Sequence, residues 1–145
     1  MIEIRKSSLI DAQFIDCSQI SGADPFTEAS FCFTLLDGEE RLAVLGGTIQ
    51  VEGCYRLFLL LPIGSKAKPL MYTKAAKSIL AQASKISSEI RRIECTVRDD
   101  FQSGKDWANV LGFVEEGLLH DYDPKDSQDH LIYYLPKEIW NKGIN

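Results

Sequence analysis

The chain has 145 residues, 45% of them apolar and 26% charged, with a formal net charge of −5. That length suits one compact domain over residues 1–145 and excludes a multidomain enzyme. The longest apolar run, Leu57–Leu61 with its flanks, is far shorter than the ~20 residues of a membrane-spanning helix, and an acidic chain is a poor fit to nucleic acid.

The N-terminal residues MIEIRKSSLIDAQ lack the charged-then-apolar design of a signal peptide, which predicts a cytoplasmic protein. The cysteines, Cys17, Cys32, Cys54 and Cys95, form no close pair, and the only histidines are His120 and His130. A zinc site needs clustered ligands, so these thiols read as small buried residues of a reducing compartment and no metal is expected. Charge is unevenly spread. Between Cys54 and Arg92 stand eight bases (Arg56, Lys66, Lys68, Lys74, Lys77, Lys85, Arg91 and Arg92) and one acid, Glu89, net +7, which leaves −12 for the rest. The asymmetry fits either an anionic ligand at the middle of the chain or a solvated basic helix face balanced by acidic neighbours.

Met1–Lys6 alternates weakly and predicts an edge strand. Ser7 or Ser8 can cap a helix carrying Leu9, Ile10, Phe14, Ile15 and Ile20, stopped by Gly22. Thr27-Glu28-Ala29 can start a second helix through Phe31 and Leu35, ended by Asp37-Gly38, with a strand over Phe31–Leu36 as its competitor. Arg41–Val51 and Cys54–Leu61 then read as a hairpin turning at Glu52-Gly53, and the Gly46-Gly47 pair predicts a bulge or a close backbone approach. A run as apolar as Leu57–Leu61 fits a central strand.

Pro62–Pro69 is a loop, and Pro69 suits the first turn of a helix whose stripe is Leu70, Met71, Ala75, Ala76, Ile79, Leu80, Ala83 and Ile86. Ile90–Val97 predicts a strand, and Phe101–Leu111 a helix stopped by Gly112. Phe113–Asp121 and His130–Leu135 predict the last strands around the polar loop Tyr122–Asp129, and the tail can dock by Ile139 and Trp140. The order β, α, α, β, β, α, β, α, β, β makes a mixed α/β sheet with helices on both faces. Anions bind such folds where a strand leads into a helix N-terminus, here Leu57–Ala83.

The last third of the chain resembles the C-terminal half of the GNAT acyl-CoA N-acyltransferases. The residues that carry this are Leu111-Gly112-Phe113, Glu115-Glu116-Gly117, His120-Asp121-Tyr122 and His130-Leu131-Ile132-Tyr133, in that order. The resemblance implies a GNAT-like central sheet of six to seven strands, and transfer of an acetyl group from acetyl-CoA to an amine. In the family a loop of the form Q/R-x-x-G-x-G/A holds the coenzyme A pyrophosphate on backbone N–H groups. The resemblance places that site on Leu61, Gly64, Ser65, Lys66, Ala67 and Lys68, with Ala67 and Pro69 where the family has glycines. The family's tyrosine acid, four residues before the glycine of Leu111-Gly112-Phe113, falls on Ala108, and the asparagine that opens that helix falls on Phe101.

Candidate acid–base residues are Glu94 on the strand after the long helix, Asp99 at its end, and His120 and Tyr122 on the penultimate strand. Glu28–Gly47 is similar to small GNAT-like proteins of tailed phages, including virion proteins. That implies a second reading: a non-catalytic GNAT-fold structural or interaction module with a protein partner in a virion or a homo-oligomer, located in a host cytoplasm or a particle. A sensor that binds coenzyme A without turnover is a third.

Overall fold

The computed structural model describes residues 2–8, 11, 13, 31–60, 69–86 and 90–140. Its strands are β1 (Ile2–Lys6), β2 (Phe31–Asp37), β3 (Glu40–Val51), β4 (Cys54–Leu60), β5 (Arg92–Arg98), β6 (Val114–Leu119) and β7 (His130–Tyr134). Its helices are α1 (Pro69–Ile86), between β4 and β5, α2 (Gln102–Leu111), between β5 and β6, and α3 (Lys137–Trp140). The strands form one seven-stranded sheet in the order β1-β2-β3-β4-β5-β7-β6. β1 to β4 are an antiparallel meander, β4 pairs parallel with β5, and β7 lies antiparallel between β5 and β6.

One expectation is overturned. Residues 31–35 are not helical but belong to β2, because Phe31, Phe33 and Leu35 face the apolar core while Thr34 faces away beside Val44. Period-two burial between two partner strands outweighs the helix start read at Thr27. The helix expected from Ser7 to Ile20 lies almost wholly outside the described residues. The Glu52-Gly53 turn, the central place of β4 and the helix before β5 agree with the sequence.

Helices α1 and α2 pack on one face of the sheet. Tyr72, Ala75, Ala76, Ile79 and Leu80 of α1 and Ala108 and Leu111 of α2 meet Leu35, Leu45, Ile93 and Tyr133 there. Leu70, expected in the stripe, is 79% exposed, since it lies off the face that Tyr72 and Ala76 define. Trp107 Nε1 donates to Thr73 Oγ1 at 2.7 Å, tying the helices together. Gly112 ends α2 at φ 97°, in the left-handed region, and the amides of Gly112 and Phe113 donate to the carbonyls of Asn109 and Ala108. Ile139 packs against this core, as the sequence of the tail suggests.

Candidate active site

Pairing between β4 and β5 is brief. The parallel ladder has three rungs, Cys54↔Arg92, Tyr55↔Ile93 and Arg56↔Glu94. Beyond them β4 continues through Leu57–Leu60 and β5 through 95–98 without pairing to each other. The two central strands therefore diverge, each still held on its far side by β3 or β7. Among the described residues, no ladder joins the facing edges of Leu57–Leu60 and 95–98. The divergence opens toward the end of β4 that leads into α1. The expected anion-binding residues Leu61, Gly64, Ser65, Lys66, Ala67 and Lys68 lie outside the described residues.

Alternation along β5 puts Ile93, Cys95 and Val97 against the helices and Arg92, Glu94 and Arg98 on the opposite face. Glu94 stands on the last rung, 5% exposed. Its Oε2 accepts from Arg56 Nε at 2.8 Å and Arg56 Nη2 at 2.6 Å. Its Oε1 accepts from Arg92 Nε at 2.9 Å and from the Cys54 thiol at 3.2 Å. Burial opposes its charge, but Arg92, Arg56 and Cys54 together hold the carboxyl below its ordinary range. Arg92 forks to Glu116 on β6, and Arg56 Nη1 donates to the Tyr122 hydroxyl at 2.8 Å.

The four candidate acid–base residues therefore separate into two groups. Glu94 and Tyr122 are joined through Arg56 at the point where the strands part. Asp99 is exposed and accepts from Lys105 of α2 at 2.9 Å. His120, with a side chain 75% exposed, lies 3.4 Å from Asp129. Tyr122 and His120 were expected on the penultimate strand, but β6 ends at Leu119, so both belong to the following turn and loop. Ala108, where the family acid falls, is buried beneath α2 and offers no proton.

Neither Cys54 nor Cys95 is activated. Burial pushes the Cys95 thiol up to about 12, with the Glu94 charge adding to it. Burial and the bond to Glu94 raise Cys54 as well. Of the bases in the middle of the chain, Arg56 and Arg92 are consumed by internal carboxylates and Arg91 by the Glu52 carbonyl.

The sequence counts Arg56 among the bases of the 54–92 segment and gives it no role, although a lone charge inside the run Cys54–Leu60 is a signal for a buried ion pair. Arg98 was missed, although Arg92, Glu94 and Arg98 alternate with Ile93, Cys95 and Val97.

No family model and no curated protein sequence matches the chain. Solved structures do. The spermidine/spermine N-acetyltransferase SpeG of Vibrio cholerae, solved in mutant form, superposes at TM-score 0.74 with 11% identity, covering 100% of both chains. The ribosomal-protein-S18-alanine N-acetyltransferase of Escherichia coli gives 0.69 with 15% identity over 94% of each chain. The fold is that of the GNAT N-acetyltransferases. A third GNAT neighbour, RimL, the ribosomal L7/L12 α-N-protein acetyltransferase, was solved with coenzyme A. It gives 0.63 with 16% identity over 73% of this chain and 61% of that one. On the GNAT fold seen here, the divergence of β4 and β5 lies at the centre of the sheet.

Proposed function

We propose that the chain is an acyl-CoA-dependent N-acyltransferase that moves an acetyl group from acetyl-CoA to an amine. The observation that carries this is the parting of β4 and β5 after the Arg56↔Glu94 rung. The residues present suit an extended thioester arm. Leu57 and Leu59 line one side of β4, Phe58 and Leu60 the other, and all four belong to apolar clusters. Acetyl-CoA, when bound, supplies an acyl carbon activated as a thioester. Backbone N–H groups of β4 that face the cleft would donate to the developing oxyanion.

Tyr122 is the proton donor in this reading. Arg56 donates to its phenolic oxygen, so the hydroxyl proton remains available for the departing sulfur. Tyr122 thereby replaces the acid that Ala108 lacks. Glu94 holds Arg56 rather than taking a proton, because both of its oxygens are already occupied. Asp99 and His120 are exposed, and in this reading the incoming ammonium loses its proton toward water.

Titration calorimetry of the purified protein with acetyl-CoA and with coenzyme A tests this reading, followed by turnover with a panel of amines. Micromolar binding is expected. Tyr122→Phe should lower kcat by about 100-fold while the acetyl-CoA Kd stays within about twofold. Absence of heat at millimolar ligand would overturn it. The non-catalytic reading would then stand, favoured by the saturated Glu94 carboxylate and the buried Ala108. The virion or homo-oligomer partner belongs to that alternative.

A further inference from the structure

The loop between β6 and β7, residues 120–129, is tied to the sheet by Arg56 at Tyr122, by the Asp99 amide at the Asp129 carbonyl, and by Arg98 at two further residues. Arg98 is the last residue of β5 and lies opposite His130 in the ladder with β7. Its Nη1 donates to Asp123 Oδ2 at 3.0 Å and to Asp126 Oδ1 at 3.2 Å, and its Nη2 to Asp126 Oδ2 at 2.8 Å. Its Nε and Nη2 also donate to Asp100, at 3.1 and 3.2 Å. Asp123 in turn meets His130 Nε2 at 3.2 Å, and the His130 ring lies against the Tyr122 ring, centroids 5.0 Å apart. The loop departs and returns through two non-glycine residues at positive φ, Asp121 at 53° and Ser127 at 58°. Such a conformation persists only where surrounding ties over-determine it.

We propose that Arg98 is a positioning residue for Tyr122. By gripping Asp123 and Asp126 it holds the loop down, and through Asp123 it sets the His130 ring that braces Tyr122 against Arg56. Arg56 alone fixes one atom of Tyr122, the hydroxyl, whereas the contact with the His130 ring, tilted by 53°, restrains the ring itself. The catalytic consequence rests on the acyltransferase reading above; the placement of the ring does not.

Fluorine NMR of protein labelled with 3-fluorotyrosine separates the two. The chain has five tyrosines, and the Tyr122 resonance is assigned by its loss in Tyr122→Phe. In Arg98→Ala that resonance should move toward the position of free fluorotyrosine, with the other four unchanged and the thermal transition still cooperative. Asp126→Asn, on the exposed loop, should move it the same way and serves if Arg98→Ala fails to fold. An unmoved Tyr122 resonance in a folded variant overturns the proposal, whatever the turnover. For catalysis, Arg98→Ala should lower kcat without raising the acetyl-CoA KM, and should add nothing to the loss in Tyr122→Phe. Should Tyr122→Phe leave turnover intact, the acid assignment falls, and the resonance still decides whether Arg98 places the ring.

Discussion

Among the described residues two carboxylates are buried, Asp11 and Glu94, and both are spent on arginine. Asp11 is fully buried and accepts from Arg41 Nε at 2.7 Å, from Arg5 Nη2 at 2.9 Å, from the Ser8 amide at 2.9 Å and from Thr34 Oγ1 at 2.9 Å. Burial works against its charge, yet the Ser8 amide, Arg41, Arg5 and Thr34 together hold it far below the usual carboxylate range. Glu94 is lowered in the same sense. A carboxyl depressed in the folded state stabilises it above the unfolded value, near pH 4, and that stability is lost as pH falls through the folded value. Stability should therefore decline on acidification below about pH 4. Asp11→Asn should cost about 3 kcal/mol at neutral pH and flatten that decline, in urea melts at about pH 3 and about pH 7. An equally steep decline in the variant would show that Asp11 is not its source. Glu94 could be singled out from sequence as a polar residue on an apolar strand. Asp11 could not, since Thr34 and Arg41 reach it from strands distant in the chain.

Elements were legible where two signals agreed. The hairpin of β3 and β4, helix α1 and the glycine-terminated α2 each had periodicity and a matching turn or stop residue. Residues 31–35 did not. An apolar pair four apart, such as Phe31 and Leu35, fits a helix turn and every second strand position alike, so that spacing decides nothing. Phe33 between them fits the strand alone, since it joins Phe31 and Leu35 on the core side. Of the two readings open for the Gly46-Gly47 pair, a bulge or a close backbone approach, the structure has the second. The register is regular there, and the bulge falls further on, between Ile49 and Val51. A Cβ on Gly46 would lie 2.6 Å from the Phe31 carbonyl oxygen and 2.5 Å from the Phe58 ring. The ring can turn aside but the carbonyl belongs to β2. Gly46→Ala should destabilise the protein by about 2 kcal/mol, seen as a lower urea midpoint with an unchanged slope. A neutral result would mean that β2 and β3 can separate at no cost.

Across the whole molecule, charge is divided along the chain and the sheet is divided at its centre. The lysines of the 54–92 segment all follow β4 in the chain, and aspartates crowd the β6–β7 loop. If the cleft holds an acyl-CoA, its phosphates belong with the lysines, and the acetyl-CoA Kd should weaken several-fold from low to physiological salt. A phosphate-free acetyl-pantetheine should show no such dependence. Equal sensitivity of the two ligands would place the phosphates elsewhere. The residues that decide this were visible in the sequence, but the parting of the strands was not. It depends on where a parallel ladder stops, and side-chain pattern alone does not mark that point.

The three-rung junction also bears on how the chain is made. β1 to β4 possess all their antiparallel partners once residue 60 has left the ribosome. β5 gains its outer partner only when β7, residues 130–134, has been synthesised. Until then its hold on the meander is three rungs, and one open side of β5 waits through α2, β6 and the loop that carries Tyr122. A nascent chain thus carries a finished half-sheet and an unfinished strand at the same time. The interval in which it can mispair is set by translation of the last third rather than by folding of the first.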